Sequence, residues 1–353
     1  MNSRRLLQDV VLIRPIAVIL IVLWHTFIIF QGGWHQPDNY QDIAVYWWIA
    51  KTVFIFSLEL FVFVSGYVFS YNNITNPKPF GHFFLGKARR LIIPSVVFSI
   101  LYILFISGDL TNISNFESIF SSESHLFIKV LIGAGHLWFL PMLFIVFIIS
   151  YFLVRFEIRI VVFFIACLFI IAPVILAVKL PYNISEVVYY LPFFLTGYYF
   201  YRFKEQIDKF LLTIFYISLF VFVSAFFIST IIKAGIDDNV LLLGKYNMIA
   251  RLGVRVLRVV AALGGVIFSY SFANLYIKKH ETAPILFTKM NSYCFGIYIF
   301  QQFIIQILYF KTSLFQMVGS YYAPWITLVI TLFFSYLLTY LLRLFKYGRL
   351  LIG

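Results

Sequence analysis

Charged residues are scarce in this chain of 353 residues: Asp, Glu, Lys and Arg make up 12% of it, whereas 62% of the residues are hydrophobic. Because a soluble domain is roughly 25% charged, a water-soluble fold of this size would lack the polar groups to cover its surface. The mean hydropathy of +0.95 agrees with that conclusion. We therefore expect lipid to surround most of the protein, with the bilayer as a partner.

Cysteine and acidic residues are also few. The two cysteines, Cys167 and Cys294, both lie in apolar runs, which argues against a disulfide framework and against a metal site. The chain has 14 acidic and 27 basic residues, which gives a net charge of +13. The basic residues are scattered between apolar runs and form no continuous soluble face, so we expect no nucleic-acid partner.

Several kinds of segment are missing. The first apolar run exceeds 20 residues and has no small-residue cleavage pattern near 31–34, so we interpret it as a membrane helix and not as a cleaved signal peptide. Low-complexity tracts, convincing repeats and stretches long enough for a separate soluble domain are lacking. We therefore expect a single domain over residues 1–353.

Long apolar runs dominate what is present. A spanning helix needs roughly 20 apolar residues that rise ~1.5 Å each. The runs that suit this requirement are 10–30, 47–71, 91–107, 136–154, 160–180, 187–201, 210–232, 248–275, 290–311 and 323–345. Two of them, 91–107 and 187–201, are short, and 248–275 is long and contains three arginines. The pattern predicts an all-α polytopic bundle of about ten transmembrane helices.

The charges in the loops predict the orientation of this bundle. Ten spans place both termini on one side of the membrane, and the loops and span ends on that side contain most of the 27 Lys and Arg residues. The loops on the other side contain acidic residues and few basic ones. By the positive-inside rule, both termini are cytoplasmic.

Two polar side chains in the first run are candidates for function. Arg14 and His25 are eleven positions apart, which brings them within about 20° of one another on a helix and separates them by ~16 Å along its axis. A cation and an imidazole on a common face favour an interior cavity, because charge in hydrocarbon is unfavourable. The alternative is an Arg14 that reaches the lipid headgroups and a His25 that is a structural core residue.

Other intramembrane charges have open interpretations. Glu59 in the second run either orients His25, holds a substrate, or is a structural partner of Lys51 or of a buried arginine. Arg251, Arg255 and Arg258 are spaced by four and three residues, so they form one helical stripe. This stripe indicates a bound polyanion, partner carboxylates or a water-filled cavity, or else an interfacial helix on anionic headgroups.

Three basic residues end the first predicted cytoplasmic loop, which lies between the second and third spans. Lys87, Arg89 and Arg90 precede Leu91 and Pro94, and they serve as a topology anchor. They also suit phosphate binding, since arginine makes bidentate contacts to phosphate oxygens. His136, at the outer mouth of the fourth run, either binds an acceptor or caps its helix.

Five stretches together resemble one family. They are Arg14 followed after ten residues by His25, the segment 61–67 (FVFVSGY), the segment 87–90 (KARR) followed by Pro94, the segment 136–140 (HLWFL), and the segment 292–298 (SYCFGIY). Their order and topology resemble the acyltransferase-3 family of bacterial membrane acyltransferases, which includes O-acetyltransferases of surface polysaccharides. Gln301 departs from the pattern, because family members often have histidine there.

The resemblance implies a fold, a donor and an acceptor. It implies a bundle of about ten helices in the bacterial cytoplasmic membrane, with acyl-CoA as the donor substrate and with neither a permanently bound cofactor nor a metal. The acetyl or other short acyl group would pass to a sugar hydroxyl of a surface polysaccharide or exopolysaccharide, or of its lipid-linked precursor.

We assign roles to the residues on this basis. His25 acts as general base or carries the acyl group, with Arg14 and Glu59 as further catalytic candidates. Substrate binding is assigned to Lys87, Arg89, Arg90, His136, Arg251, Arg255 and Arg258.

Two other classes compete with this interpretation. A polysaccharide exporter or flippase for a lipid-linked glycan would also suit the aromatic residues and the cationic stripe, and the family includes proteins described as exporters. Such transporters often contain inverted repeats, and we find no such symmetry in this sequence. A non-catalytic scaffold would leave Arg14, His25 and Glu59 without a purpose.

Overall fold

The fold was obtained as a computed structural model, which describes residues 7–107, 123–178, 180–237 and 247–352. Within these ranges all regular structure is helical and no strand occurs. Long apolar runs without alternation form helices because a helix satisfies its own backbone hydrogen bonds in lipid. The predicted all-α class is confirmed.

Sixteen α-helices lie in the described ranges. Eight of them precede residue 180: α1 (Gln8–Phe27), α2 (Ala44–Phe54), α3 (Ser57–Thr75), α4 (Phe80–Lys87), α5 (Ile93–Tyr102), α6 (Glu123–Ile132), α7 (Phe139–Leu153) and α8 (Ile158–Val178). The other eight follow it: α9 (Ile184–Arg202), α10 (Lys204–Lys209), α11 (Leu211–Asp237), α12 (Asn247–His280), α13 (Ile285–Asn291), α14 (Cys294–Phe310), α15 (Leu314–Leu344) and α16 (Lys346–Ile352).

Eight helical segments in the described part of the chain are long and apolar enough to cross a membrane. They are Gln8–Gln31, Ala44–Thr75, Phe80–Ile106, Gly135–Leu153, Ile158–Ile175, Leu211–Ile236, Met248–His280 and Leu314–Leu344. Each coincides with a predicted span. A ninth is the pair α13 and α14, which is bent by 81° and covers the predicted span 290–311. The chain is therefore a multi-pass membrane protein.

The tenth predicted span, 187–201, lies in helix α9. This helix has 19 residues, longer than the short span that the sequence predicts, but it is not apolar enough to count among the eight segments above. Its tyrosines and Pro192 lower its hydropathy, and most of its residues, including Tyr189, Tyr190 and Tyr198, are buried. Burial against protein explains why a more polar helix is stable here.

The long predicted span at 248–275 forms one continuous helix, α12, of 34 residues. A helix of this length extends roughly 50 Å, which exceeds the ~30 Å hydrocarbon core. The stretch 259–277 contains no charged residue and is long enough to cross that core by itself. Arg251, Arg255 and Arg258 lie in the first turns of α12, before this stretch.

The chain divides into two compact units. Unit one contains the residues up to Ala17, Phe54–Pro77 and Ile149–Asn291. In it, α3 packs on α9, and α11 packs on α12. The α3–α9 contact is close: a Cβ on Gly66 would lie 1.9 Å from the Phe194 carbonyl oxygen, and one on Gly197 would lie 2.0 Å from that of Phe63. These glycines let the two backbones touch, as small residues do between membrane helices.

Unit two contains Val18–Val53, Lys78–Ile148 and Ser292–Gly353. Its main contact joins α14 and α15, where Gly296 faces Thr339 so closely that a Cβ would lie 2.3 Å from the threonine side chain. A π-helical turn, Ala88–Ile92, connects α4 to α5. Such turns are rare and frequently occur at functional sites, and this one contains Arg89 and Arg90.

Candidate functional site

His25 lies in the last turn of α1, in unit two. Its side chain is buried, with 6% exposed. The ring atom Nδ1 is 2.9 Å from the carbonyl oxygen of Ile21. Because a carbonyl oxygen only accepts, Nδ1 carries the hydrogen, and the neutral ring keeps a lone pair on Nε2. The backbone therefore fixes the tautomer that leaves Nε2 as a base.

His136 approaches His25 from a second segment of unit two. It lies in the short 3-10 turn Gly135–Trp138, and the centroids of the two imidazole rings are 6.5 Å apart. The sequence placed both histidines among the candidates, but it gave no sign that the two rings are neighbours. The structure brings these two predicted residues together.

The His136 ring is also held by the backbone. Its Nε2 is 3.1 Å from the Tyr298 carbonyl oxygen and 3.0 Å from that of Ile299, so Nε2 carries the hydrogen. Its Nδ1 is buried and has no hydrogen-bond partner among the described residues. In addition, the His136 backbone N–H donates to Gln302 over 2.9 Å, and the Tyr298 hydroxyl donates to the His136 carbonyl oxygen. The open position on Nδ1 suits a substrate group.

Gln301 occupies the position at which the family often has histidine. It is fully buried, and neither its amide oxygen nor its amide nitrogen has a hydrogen-bond partner in the described part of the chain. A buried amide without partners is unfavourable by a few kcal/mol, so such groups are rare in finished folds. The late helix has a glutamine and no histidine at this position.

Arg14 belongs to unit one, although it lies on the same helix as His25. It is half-buried, and its Nη1 donates a long hydrogen bond, 3.4 Å, to Asn291. Every residue from Gln8 to Gln31 is buried or half-buried. Arg14 is therefore half-buried and His25 buried, and their shared role stays a prediction.

Glu59 is buried in unit one, with 5% of it exposed. It accepts a hydrogen bond of 2.8 Å from the Tyr189 hydroxyl, and it interacts electrostatically with Arg258. The guanidinium of Arg258 also lies 5.7 Å from the Phe54 ring centroid. Arg258 is itself exposed, so it is not the buried arginine of the structural alternative, and the role of Glu59 stays a prediction. The side chain of Arg251 is exposed and that of Arg255 is half-buried.

The basic cluster of unit two lies at the π-helical turn. The Lys87 ammonium lies 3.3 Å from the centroid of the Phe147 ring, which fixes the side chain by a cation–π contact. Arg89 and Arg90 are exposed. Arg90 also experiences electrostatic repulsion from Arg343, near the end of α15. Two guanidinium groups that repel each other form a place where an anion such as a phosphate is stabilising.

An ion pair between the half-buried Lys204 and the buried Asp9 in unit one was missed by the sequence interpretation. Lys204 lies 3.1 Å from the Asp9 carboxylate, which also accepts a hydrogen bond of 2.6 Å from Tyr67. Lys204 in addition donates to Asn274 and lies 3.5 Å from Asp208. In the sequence Lys204 is one of several basic residues after a span, so it is indistinguishable from a topology signal. The pair joins α1, α3, α10 and α12.

No group of three or more His, Cys, Asp or Glu side chains that could hold a metal ion occurs among the described residues. Cys167 is half-buried and Cys294 is buried, and neither forms a disulfide within the described residues. The site is therefore best described by its imidazoles, its arginines and its aromatic rings.

Comparison with known proteins identifies the family. No curated protein and no solved structure matches the chain. A family model described as an acyltransferase domain, that of the acyltransferase-3 family, matches residues 8–344, which is nearly the whole chain and includes α1 through α15. The chain therefore belongs to the acyltransferase-3 family of membrane acyltransferases.

Proposed function

We propose that this protein transfers an acetyl or other short acyl group from acyl-CoA to a sugar hydroxyl of a surface polysaccharide or exopolysaccharide, or of its lipid-linked precursor. The observation that carries the proposal is the His25 ring, buried beside a second imidazole, with Nδ1 hydrogen-bonded to the Ile21 carbonyl oxygen and Nε2 left as a base. Family membership supplies the reaction type. Imidazole suits this task because its usual pKa of about 6.5 allows proton transfer near neutral pH.

In the proposed reaction His25 removes the proton from the acceptor hydroxyl. The hydroxyl oxygen forms a bond to the thioester carbonyl carbon as its proton passes to Nε2. The carbon–sulfur bond then breaks, the acyl group stays on the acceptor oxygen, and the CoA sulfur takes the proton from the imidazolium. The products are an ester and free CoA thiol, and His25 returns to its starting tautomer.

His136 is proposed to hold the acceptor. Its Nδ1 lone pair is buried and open within the described residues, and the ring cannot rotate away without losing two hydrogen bonds to carbonyl oxygens. A neutral imidazole nitrogen accepts a hydrogen bond from a hydroxyl. A second hydroxyl of the sugar would fill this position and orient the one that reacts.

The donor is proposed to bind through its phosphates. Lys87, Arg89 and Arg90, together with Arg343, form a cationic region in unit two that matches the polyanionic part of coenzyme A. Arg14 would add a positive charge for the thioester oxygen or for a phosphate of the donor. We propose the bacterial cytoplasmic membrane as the location, because coenzyme A is a cytoplasmic donor.

Label transfer tests the proposal against the exporter alternative. Purified protein in liposomes is given radiolabelled acetyl-CoA and the polysaccharide fraction of the cells that naturally make it. We expect label in the polysaccharide and an equal amount of free CoA thiol, because each transfer releases one thiol. Movement of polysaccharide across the bilayer with no label incorporated would identify an exporter and would refute the enzymatic proposal.

A further inference from the structure

We propose that Trp34, His35 and Phe310 form a stacking surface for a sugar ring of the acceptor. We call this surface the aromatic platform. The inference rests on the proposed function and adds to it the residues that would bind a sugar of the acceptor. It lies in unit two, where the loop after α1 meets the end of α14.

The aromatic platform leads to the reactive histidine. The ring centroids of His35 and Phe310 are 3.9 Å apart, those of Phe310 and Trp34 are 6.3 Å apart, and those of Trp34 and His25 are 6.1 Å apart. His35 is exposed, Trp34 and Phe310 are half-buried, and His25 is buried. A sugar ring that stacks on Trp34 would thus lie one ring contact from the base, and His35 is the exposed end of this row of rings.

Two glycines place Trp34 at this position. Gly32 ends the 3-10 turn Ile28–Gln31 with a φ of +70°, a conformation that side chains other than glycine rarely adopt. A Cβ on Gly33 would lie 2.5 Å from the Ile28 side chain, so the loop folds tightly back over that turn. The residue that follows is therefore held against the end of α1 and near His25.

The other side of the aromatic platform is also fixed. The Tyr309 hydroxyl donates to the Thr26 carbonyl oxygen, which ties the end of α14 to the end of α1. Tyr309 and Thr26 are both buried. Phe310 is the next residue, so its ring is held in place without contributing to that buried contact. A rigid ring loses little conformational entropy when a ligand stacks on it, which favours binding.

The chemistry of the aromatic platform fits a carbohydrate. A pyranose presents C–H groups on its faces and hydroxyls around its edge, so an aromatic ring covers a face and leaves the hydroxyls free to react. A second aromatic cluster of unit two, Tyr46, Tyr321 and Trp325, uses its polar groups within the protein. Trp325 donates to the Tyr46 hydroxyl over 3.0 Å, and that hydroxyl donates to the Tyr321 carbonyl oxygen over 2.7 Å.

An aromatic belt at the lipid headgroups is the competing explanation for these rings. A belt residue anchors the protein in the bilayer and has no effect on how the acceptor binds. The matched comparison is Trp48, an exposed tryptophan on α2 in the same unit, which contacts Trp47 and is not part of the aromatic platform. Trp48→Ala therefore controls for the effect of removing an exposed tryptophan that is not part of the aromatic platform.

The experiment compares Trp34→Ala, Trp34→Phe and Trp48→Ala in liposomes with radiolabelled acetyl-CoA and the purified polysaccharide fraction. Trp34→Ala should raise the apparent KM for polysaccharide about three- to tenfold, the range for loss of an aromatic contact, and leave the KM for acetyl-CoA unchanged. Trp34→Phe keeps a ring and should stay near the wild-type values, as should Trp48→Ala. An unchanged polysaccharide KM in Trp34→Ala, or an equal change in Trp48→Ala, would overturn the proposal.

A binding measurement without acetyl-CoA separates this proposal from the proposed function. If the wild type transfers no label, the acyltransferase proposal fails, and titration of the protein with the polysaccharide fraction still decides the aromatic platform. Saturable binding that Trp34→Ala weakens and Trp48→Ala does not would support it. No binding to the wild type, or binding that Trp34→Ala leaves unchanged, would refute it.

Discussion

At the scale of single residues, the decisive feature is that the backbone fixes both imidazoles. His25 donates from Nδ1 to the Ile21 carbonyl oxygen, and His136 donates from Nε2 to the Tyr298 and Ile299 carbonyl oxygens. Each ring thus keeps one lone pair at a defined atom. The sequence identified both histidines as candidates, but their tautomers follow from contacts that only the fold creates.

The first prediction concerns Arg90. Arg90→Ala should raise the apparent KM for acetyl-CoA about tenfold or more, because hydrogen bonds to charged groups contribute ~1.5–3 kcal/mol. Arg90→Lys keeps the charge but loses the bidentate geometry, so its KM for acetyl-CoA should lie between those of the wild type and Arg90→Ala. Label transfer at varied acetyl-CoA concentrations measures this.

The control for Arg90 is Arg159→Ala, which removes a guanidinium whose side chain is 91% exposed and which pairs with Glu157. Its KM for acetyl-CoA should equal that of the wild type. Equal KM values for Arg90→Ala and the wild type would remove phosphate binding from this residue.

At the scale of helices, the α3–α9 contact depends on two glycines that face each other's backbones. Gly66→Ala would place a methyl group 1.9 Å from the Phe194 carbonyl oxygen, a distance that backbone atoms cannot tolerate. We expect it to lower the free energy of unfolding by about 1–3 kcal/mol or more, the usual range for overpacking. Thermal unfolding in detergent, followed by size-exclusion chromatography, measures the effect.

The matched control is Gly253→Ala in α12. No atom lies within 4 Å of the Cβ that alanine would add there, and the site is exposed. Because alanine favours a helix over glycine by ~1 kcal/mol, this variant should be as stable as the wild type or more so. The close-packing explanation would be wrong if both variants unfolded at the same temperature.

The Asp9–Lys204 pair gives a second prediction at this scale. Asp9→Asn removes the carboxylate at 3.1 Å and leaves the half-buried Lys204 ammonium with Asp208 at 3.5 Å, and we expect destabilisation of about 1.5–3 kcal/mol, the range for a hydrogen bond to a charged group. Lys204→Met alone should have a similar effect, since it leaves the Asp9 carboxylate buried and unpaired. The double variant should recover much of the loss, because it leaves neither charge behind.

The measurement for this pair is the same unfolding assay on both single variants and on the double variant. Additive losses in the double variant would show that the two side chains do not stabilise each other.

Much of the helical structure follows from the sequence alone. Eight predicted spans are confirmed because about 20 apolar residues can satisfy their backbone only as a helix in lipid. The 81° bend between α13 and α14 was not predicted, since the boundary at 292–293 carries no proline or glycine. The π-helical turn at Ala88–Ile92 was missed for a related reason: an extra residue per turn leaves no signature in hydropathy.

At the scale of the whole molecule, the topology depends on how many segments cross the bilayer. Ten crossings place both termini on one side, and nine place them on opposite sides. The count turns on α9, which is buried but less apolar than the other spans, and on whether the bent pair α13 and α14 crosses as one span. The excess of Lys and Arg in loops on the terminal side predicts ten crossings, with both termini cytoplasmic.

Reporter fusions test this prediction. A green fluorescent protein, which fluoresces only when folded in the cytoplasm, is fused in separate variants to each terminus. Both fusions should fluoresce, and alkaline phosphatase fused at the same positions should be inactive. An active phosphatase at one terminus would give an odd number of crossings and would refute the prediction of ten.

The candidate site was only partly predictable from the sequence. Intramembrane charge identified Arg14, His25 and Glu59 because such groups are unfavourable in lipid. The proximity of His25 to His136, the Tyr189 contact of Glu59 and the repulsion between Arg90 and Arg343 join residues that are distant in sequence. A single sequence contains no information on such pairs, so the fold had to supply them.

The central claim is that His25 is the base of an acyl transfer, and the rate of label transfer in His25 variants tests it most directly. His25→Ala and His25→Gln should each lower the rate of acetyl transfer about 100-fold or more, the range for loss of a general base, with unchanged thermal unfolding. His280→Ala, which removes an exposed histidine near Tyr276, should keep the wild-type rate. Transfer at more than a tenth of the wild-type rate in His25→Ala would contradict the account.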